Sequence, residues 1–372
     1  MSSLKKYIKK RSITGPWSIY PKPNKKFDST VVIPSCAESK YIPLTLSSLN
    51  KNKITHLKNT LVIVVVNNSI DSSQSIIHDN KVTFQLLETN DYDFTLCVVD
   101  ASSSTLALDK KNAGVGLARK IGIDLSLPYL KSEDSIIFCT DADTIVDKNY
   151  LDTVKKYFKK NNSKAAVVGF KHIKPVIKEQ EKAIRLYEEY LLITAKKIQS
   201  TGSPYGYVPL GSSMICTVNA YCSIGGMPRK RATEDFYFLQ ELAKFCKVHT
   251  IPKVLVYPSS RLNAKVYLGT AFRMKESEQG FDLNSLFFHD RSFNLLSKWI
   301  AIGQASWKLD LFELKNKIKL INPILLDFLI KEGLDDVWYN INENASSSIQ
   351  FSNQFHRWFD GLKTIRLLKK FS

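Results

Sequence analysis

Two acidic pairs carry the most chemical promise in this sequence. Asp141 and Asp143 flank one alanine and follow directly on the apolar run Ile136–Cys139. In an open parallel sheet ligands collect beyond the carboxyl ends of strands. Two carboxylates at such an end can converge on a divalent cation, Mn²⁺ or Mg²⁺, which takes hard oxygen ligands and keeps places for diphosphate oxygens. The competing reading is a cap on the following helix. The second pair, Glu234 and Asp235, sits in Thr233–Phe245 (TEDFYFLQELAKF), downstream of Gly225-Gly226. There a carboxylate is either stabilised by the helix dipole or placed as a general base within reach of an acceptor hydroxyl. A third stretch, Asn112–Lys120, combines Gly114 and Gly116 with Arg119, Lys110, Lys111 and Lys120. Such residues suit close approach to phosphate, or else form a tight turn with solvated lysines. The stretch is neither a complete G-x-G-x-x-G nor a Walker A loop.

These residues need elements to hold them. Short apolar runs at Thr30–Pro34, Leu61–Val66, Thr95–Val99, Ser135–Cys139, Ala165–Phe170, Ser212–Val218 and Val254–Tyr257 read as strands. Helical spacing fits Tyr41–Asn50, Asn112–Asp124, Lys178–Gln199 and Thr233–Phe245. Strands alternating with helices indicate a parallel sheet in an α/β domain, and continuously apolar strands indicate cover on both faces. Beyond about Phe287 the pattern is mainly helical. The expected organisation is a basic arm at 1–27, packed on the surface or partly loose, a catalytic domain at 28–286 and a helical extension at 287–372.

The composition sets limits. The chain has 372 residues, 44% of them hydrophobic, with 20 Phe, 16 Tyr and 5 Trp, which excludes a disordered chain. No apolar run is long enough to span a bilayer, and the basic start lacks the apolar stretch of a secretory signal. Six scattered cysteines with no C-x-x-C pair suit small buried side chains in a reducing cytosol, not zinc or a disulfide framework. The net charge of +18 favours a phosphate-bearing partner of some kind.

Five segments together resemble family 2 glycosyltransferases of the GT-A fold. They are Val31–Glu38 (VVIPSCAE), Val64–Ser73 (VVVNNSIDSS), Asn112–Asp124 (NAGVGLARKIGID), Phe138–Asp147 (FCTDADTIVD) and Gly225–Phe238 (GGMPRKRATEDFYF). The resemblance runs over roughly 30–260, about two thirds of the chain. It implies a GT-A-like, mostly parallel sheet flanked by helices, a nucleotide-sugar donor, and inverting transfer, of hexosyl type, to a hydroxyl of a glycan, lipid or other acceptor. It assigns Pro34, Ser35, Cys36, Ala37 and Glu38 to the nucleotide pocket. Asn112, Gly114 and Arg119 go to the donor, Asp141 to metal and diphosphate, Asp143 to the metal, and Asp235 to the catalytic base with Glu234 beside it. Asn67 and Asn68 stand where the family usually has acids; Asn68 is kept as a donor contact.

Tyr205-Gly206-Tyr207 and Pro258–Tyr267, with Arg261 and Lys265, are candidates for a wall or lid that excludes water. An alternative reading is a basic polyanion- or nucleic-acid-binding protein built on a degenerate transferase core. It would use Lys5–Arg11 and Arg366–Lys370, but no groove-reading motif is present and nucleic acid is not the expected partner. A nucleotidyltransferase would also need paired carboxylates; the Gly-Gly and Glu-Asp segment speaks against it. The stretch Phe355–Phe371 mixes apolar and basic residues and either packs on the catalytic domain or lies on an anionic membrane. The expected location is the cytoplasm, with the inner membrane face as the peripheral option.

Overall fold

The structure is a computed structural model and describes residues 3–89, 91–262 and 269–372. Its strands are β1 (Ile19–Tyr20), β2 (Ser29–Ser35), β3 (Thr60–Asn67), β4 (Thr95–Ala101), β5 (Ile136–Cys139), β6 (Ile145–Val146), β7 (Ala165–Phe170), β8 (Met214–Thr217) and β9 (Val248–Tyr257). Among the described residues they form one nine-stranded sheet, ordered β1-β4-β3-β2-β5-β8-β7-β9-β6. The longer ladders, β2 with β3, β3 with β4, β2 with β5 and β7 with β9, are parallel. The shorter ones, β5 with β8, β7 with β8, β6 with β9 and β1 with β4, are antiparallel.

The two central strands show why apolar runs predict this sheet. Every residue of β2 and β3 is buried, as expected where helices cover both faces. Their neighbour β5 is buried throughout as well. Because β2, β3 and β5 run parallel, their carboxyl ends at Ser35, Asn67 and Cys139 open on the same edge. The helix Val115–Ser126 packs against β2 and β3, and its Gly122 lies on Val32 and Val65, where a Cβ would clash.

The chain forms two compact units, Met1–Ile184 with Pro209–Gln279, and Arg185–Val208 with Gly280–Ser372. The first holds the sheet. The second is helical: Asp290–Ala305, Leu311–Ile321, Pro323–Lys331, Leu334–Glu343, Ser348–Trp358 and Gly361–Phe371. The side chains of Asp310, Asn322, Ser347 and Asp360 each accept a backbone N–H at a helix start, which explains where four of these helices begin. Trp299, Trp338, Phe351, Phe355, Phe359, Leu367 and Leu368 form its buried core, with Ile198 from the long helix Lys178–Ser200. Phe351, Phe355, Leu367 and Leu368 of the last two helices are buried in this unit's own core, not in the catalytic domain's, while Ile349 stays exposed.

The N-terminal arm departs from a loose tail. Ser3–Lys10 is a helix whose Tyr7 is 2% exposed. Lys120 Nζ donates to the Tyr7 hydroxyl at 2.6 Å, and Tyr7 and Tyr221 both donate to Asp124 Oδ1, at 2.8 and 2.7 Å. Ser3 and the Leu4 amide are held by Glu133. The helix is short, and although Leu4, Tyr7 and Ile8 share one face, only Tyr7 is buried.

Candidate active site

The Asp141–Asp143 turn continues β5 directly. The Thr140 amide still donates to Val32 O, and the Thr144 amide closes the turn on Asp141 O at 3.1 Å. Alternation along the chain then decides which side chains emerge: Ala142 is buried, while Asp141 and Asp143 are half-buried on the other side. The helix Ile42–Asn50 clamps the turn from behind, through Thr45 Oγ1 to Ala142 O at 2.8 Å and the Val146 amide to Ser48 Oγ at 3.0 Å. These two hydroxyls carried no signal in the sequence beyond sitting on the inner face of a helix.

Glu234 and Asp235 open the helix Glu234–Phe245, after Thr233 in a left-handed conformation. Glu234 is buried and Asp235 half-buried, its Oδ1 accepting the Phe236 amide at 2.7 Å. Burial pushes the Glu234 carboxyl up to about 7, against the pull of Arg119 and with the Asp235 charge adding to the rise. Burial also raises Asp235, again opposed by Arg119. Both groups thus titrate above the ordinary carboxylate range.

The two acidic motifs meet at Arg119. Its guanidinium is buried and donates one terminal nitrogen to Asp141 and the other to Glu234. Burial opposes its charge; Asp141 and Glu234 more than offset that and hold its pKa above the ordinary value. A second arginine does similar service next door. Arg261 reaches Glu38 at 2.5 Å and Asp143 at 2.8 Å and lies over the Tyr41 ring at 4.6 Å. Five carboxyl groups, of Glu38, Asp141, Asp143, Glu234 and Asp235, therefore gather around two guanidiniums, a locally acidic cluster in a chain of net charge +18.

Close backbone packing makes this possible. A Cβ on Gly116 would come within 2.7 Å of Pro228 O and 2.9 Å of Glu234 Cβ, so the start of Val115–Ser126 abuts the segment that leads into Glu234. Gly211 lies against the Arg119 guanidinium, with no space for a methyl group. The sequence pointed to the first of these glycines and not to the second.

The remaining assigned residues are placed as follows. Pro34 and Ser35 end β2 and are buried. Glu38 is buried against Arg261. Asn68 is buried in an amide network, its Oδ1 accepting Asn80 Nδ2 at 2.7 Å and its own amide donating to Ser69 O. Asn80 in turn accepts the Ala37 amide, linking the ends of β2 and β3. Asn112 and Gly114 lie on the turn before Val115, with Gly114 against the Arg231 backbone. Lys120 points the other way from Arg119, into the Tyr7 and Asp124 network. Tyr205 and Tyr207 belong to the second unit, where both rings are buried. Of the proposed wall at Pro258–Tyr267, residues 263–267, Lys265 among them, lie outside the described residues.

No curated protein matches the chain. Among solved structures it is similar to Staphylococcus aureus TarS 1-349, at 16% identity over 89% of each chain with a TM-score of 0.43. TarS 1-349 in complex with UDP-GlcNAc aligns at 14% identity over 89% of each chain with a TM-score of 0.46. The mannosyltransferase PcManGT of Pyrobaculum calidifontis, in complex with GDP-Man and Mn²⁺, aligns at 13% identity over 95% of this chain and 92% of that one, TM-score 0.42. The sequence profile of glycosyl transferase family 2 matches residues 30–217, a span that takes in β2 to β8, Arg119 and the Asp141–Asp143 turn. With half of its length matched by that profile, this chain belongs to glycosyl transferase family 2.

Proposed function

We infer that this glycosyltransferase moves a sugar, of hexosyl type, from a nucleotide-diphosphate sugar to an acceptor hydroxyl with inversion, Asp235 acting as the general base. The observation that carries this reading is the shared guanidinium: residues 22 and 115 positions from Arg119 along the chain are drawn to one point. A leaving-group site and a base site must lie that close for a single in-line displacement. Asp235 takes the acceptor proton as the acceptor oxygen bonds to the anomeric carbon and the bond to the diphosphate breaks. A raised pKa suits a base that works near neutral pH.

Whether the cluster suits a divalent cation can be judged from its donors. Among the described residues no group of three or more His, Cys, Asp or Glu side chains is set to cage a metal. Asp141 and Asp143 are hard oxygen donors on the same side of a turn, with side chains 33% and 19% exposed. That fits a cation held by one or two carboxylates and completed by phosphate and water. Asp141 and Asp143 would hold Mn²⁺ or Mg²⁺, which supplies positive charge against the diphosphate in a cluster otherwise too acidic to receive it.

The test is a thermal-shift panel of UDP, GDP, ADP and CDP, each with and without Mn²⁺. A ligand that binds the native state raises the melting temperature. At least one diphosphate should do so, more strongly with Mn²⁺; incubation of its sugar derivatives with candidate acceptors, scored by mass and by anomeric coupling constants, then gives acceptor and stereochemistry. A flat panel, or a product that retains configuration, overturns the reading. Among the described residues no helix is long and apolar enough to cross a membrane.

A further inference from the structure

Arg119 is built in as a connector. It is 1% exposed, both terminal nitrogens are committed to carboxylates, and Gly211 closes over the guanidinium. Stability does not explain the arrangement. A buried ion triad gains little over apolar side chains of equal volume, because desolvating the charges costs as much as their attraction returns. What a planar fork does uniquely is fix two carboxylates at once in one geometry. Those two carboxylates belong to the acidic turn after β5 and to the first residue of the helix that carries Asp235.

We propose that Arg119 is a positioning residue that couples the donor side of the site, at Asp141, to the acceptor side, at Glu234 and Asp235. The proposal rests on the glycosyltransferase reading above and goes beyond it. Any ligand that draws on the Asp141 carboxylate changes how far that carboxylate compensates the fixed charge of Arg119, and so how strongly Arg119 holds Glu234; the reverse holds by thermodynamic reciprocity. Glu234 therefore affects nucleotide binding without touching the nucleotide, and only while Arg119 is present.

Two cycles of variants test this. In the ligand-bound cycle, calorimetry measures the affinity of UDP and GDP, with Mn²⁺, for wild type, E234Q, R119Q and E234Q/R119Q. E234Q should change Kd at least about fivefold in the Arg119 background and leave it unchanged in the R119Q background. The same change in both backgrounds overturns the coupling. In the ligand-free cycle, urea midpoints of D141N, E234Q and the double variant should be non-additive with Arg119 and additive with R119Q. R119K keeps the charge but cannot hold both partners in a fork, so it should fold yet lose the coupling; full coupling in R119K would overturn the positioning role in favour of charge alone. If neither UDP nor GDP binds wild type, the choice of donor falls, and the ligand-free cycle alone decides whether Arg119 links the two motifs.

Discussion

At the scale of single residues the site is a question of which carboxyl is charged when. Asp235 must be ionised to accept a proton, and its pKa is raised by burial, so the rate should fall as pH drops through a value above the ordinary carboxylate range. A kcat profile measured between pH 3 and 9 should place its acidic limb there; a limb near pH 4 would say that another group is the base. Asp235→Asn should retain nucleoside-diphosphate binding by calorimetry and lose about 10²- to 10⁴-fold in transfer, the usual share of general-base catalysis. Asp143→Ala should abolish the Mn²⁺-dependent part of the nucleotide thermal shift while leaving the melting point of the free protein near that of wild type. The sequence singled these residues out as candidates by their place after an apolar strand and at a helix start, together with their match to the family's motifs. Their partners were not legible as such. Arg119 read as a phosphate ligand and Arg261 as a candidate one, since no local pattern announces a pairing across more than a hundred residues.

At the scale of elements, the helix Val115–Ser126 stands between two polar networks. Arg119 faces the site, and the next residue, Lys120, faces Tyr7, Asp124 and Tyr221. The arm also underlies the Gly225-Gly226 turn: both glycines have positive φ, and a Cβ on Gly226 would run into the Tyr7 ring. Tyr7→Phe leaves a buried ammonium short of one acceptor and should cost about 1–3 kcal/mol, read from urea unfolding. An unchanged midpoint would mean that the arm merely rests on the surface. Strand positions were legible because apolar β-branched runs are rare outside buried strands. The antiparallel insertion of β8 between β5 and β7 was not, because pairing partners are chosen by chain direction and connection, which hydrophobicity does not encode. The helix Gln74–Thr89 also escaped notice, being polar along most of its length.

At the scale of the whole molecule, the helical unit is held by an aromatic core in which Trp299 meets Phe355 and Phe359 edge-on. Leu367 is fully buried there, so Leu367→Ala should destabilise by about 2–5 kcal/mol and leave flotation with anionic vesicles unchanged. A variant that keeps its stability and loses vesicle binding would move this helix from the core to the membrane. The mainly helical character of the end of the chain was visible in its spacing; the membership of Arg185–Val208 in the same unit was not, since nothing local separates it from the helix residues before it. That membership has a consequence for biosynthesis. The ribosome delivers Arg185–Val208 first, then 209–279, which belong elsewhere, and only afterwards the chain against which Ile198 packs. At about 5–20 residues per second the nascent segment waits on the order of 4–14 s with its apolar side uncovered. Slow translation through 209–279 should therefore lower the yield of native enzyme more than equally slow translation through residues 3–184, before that segment exists.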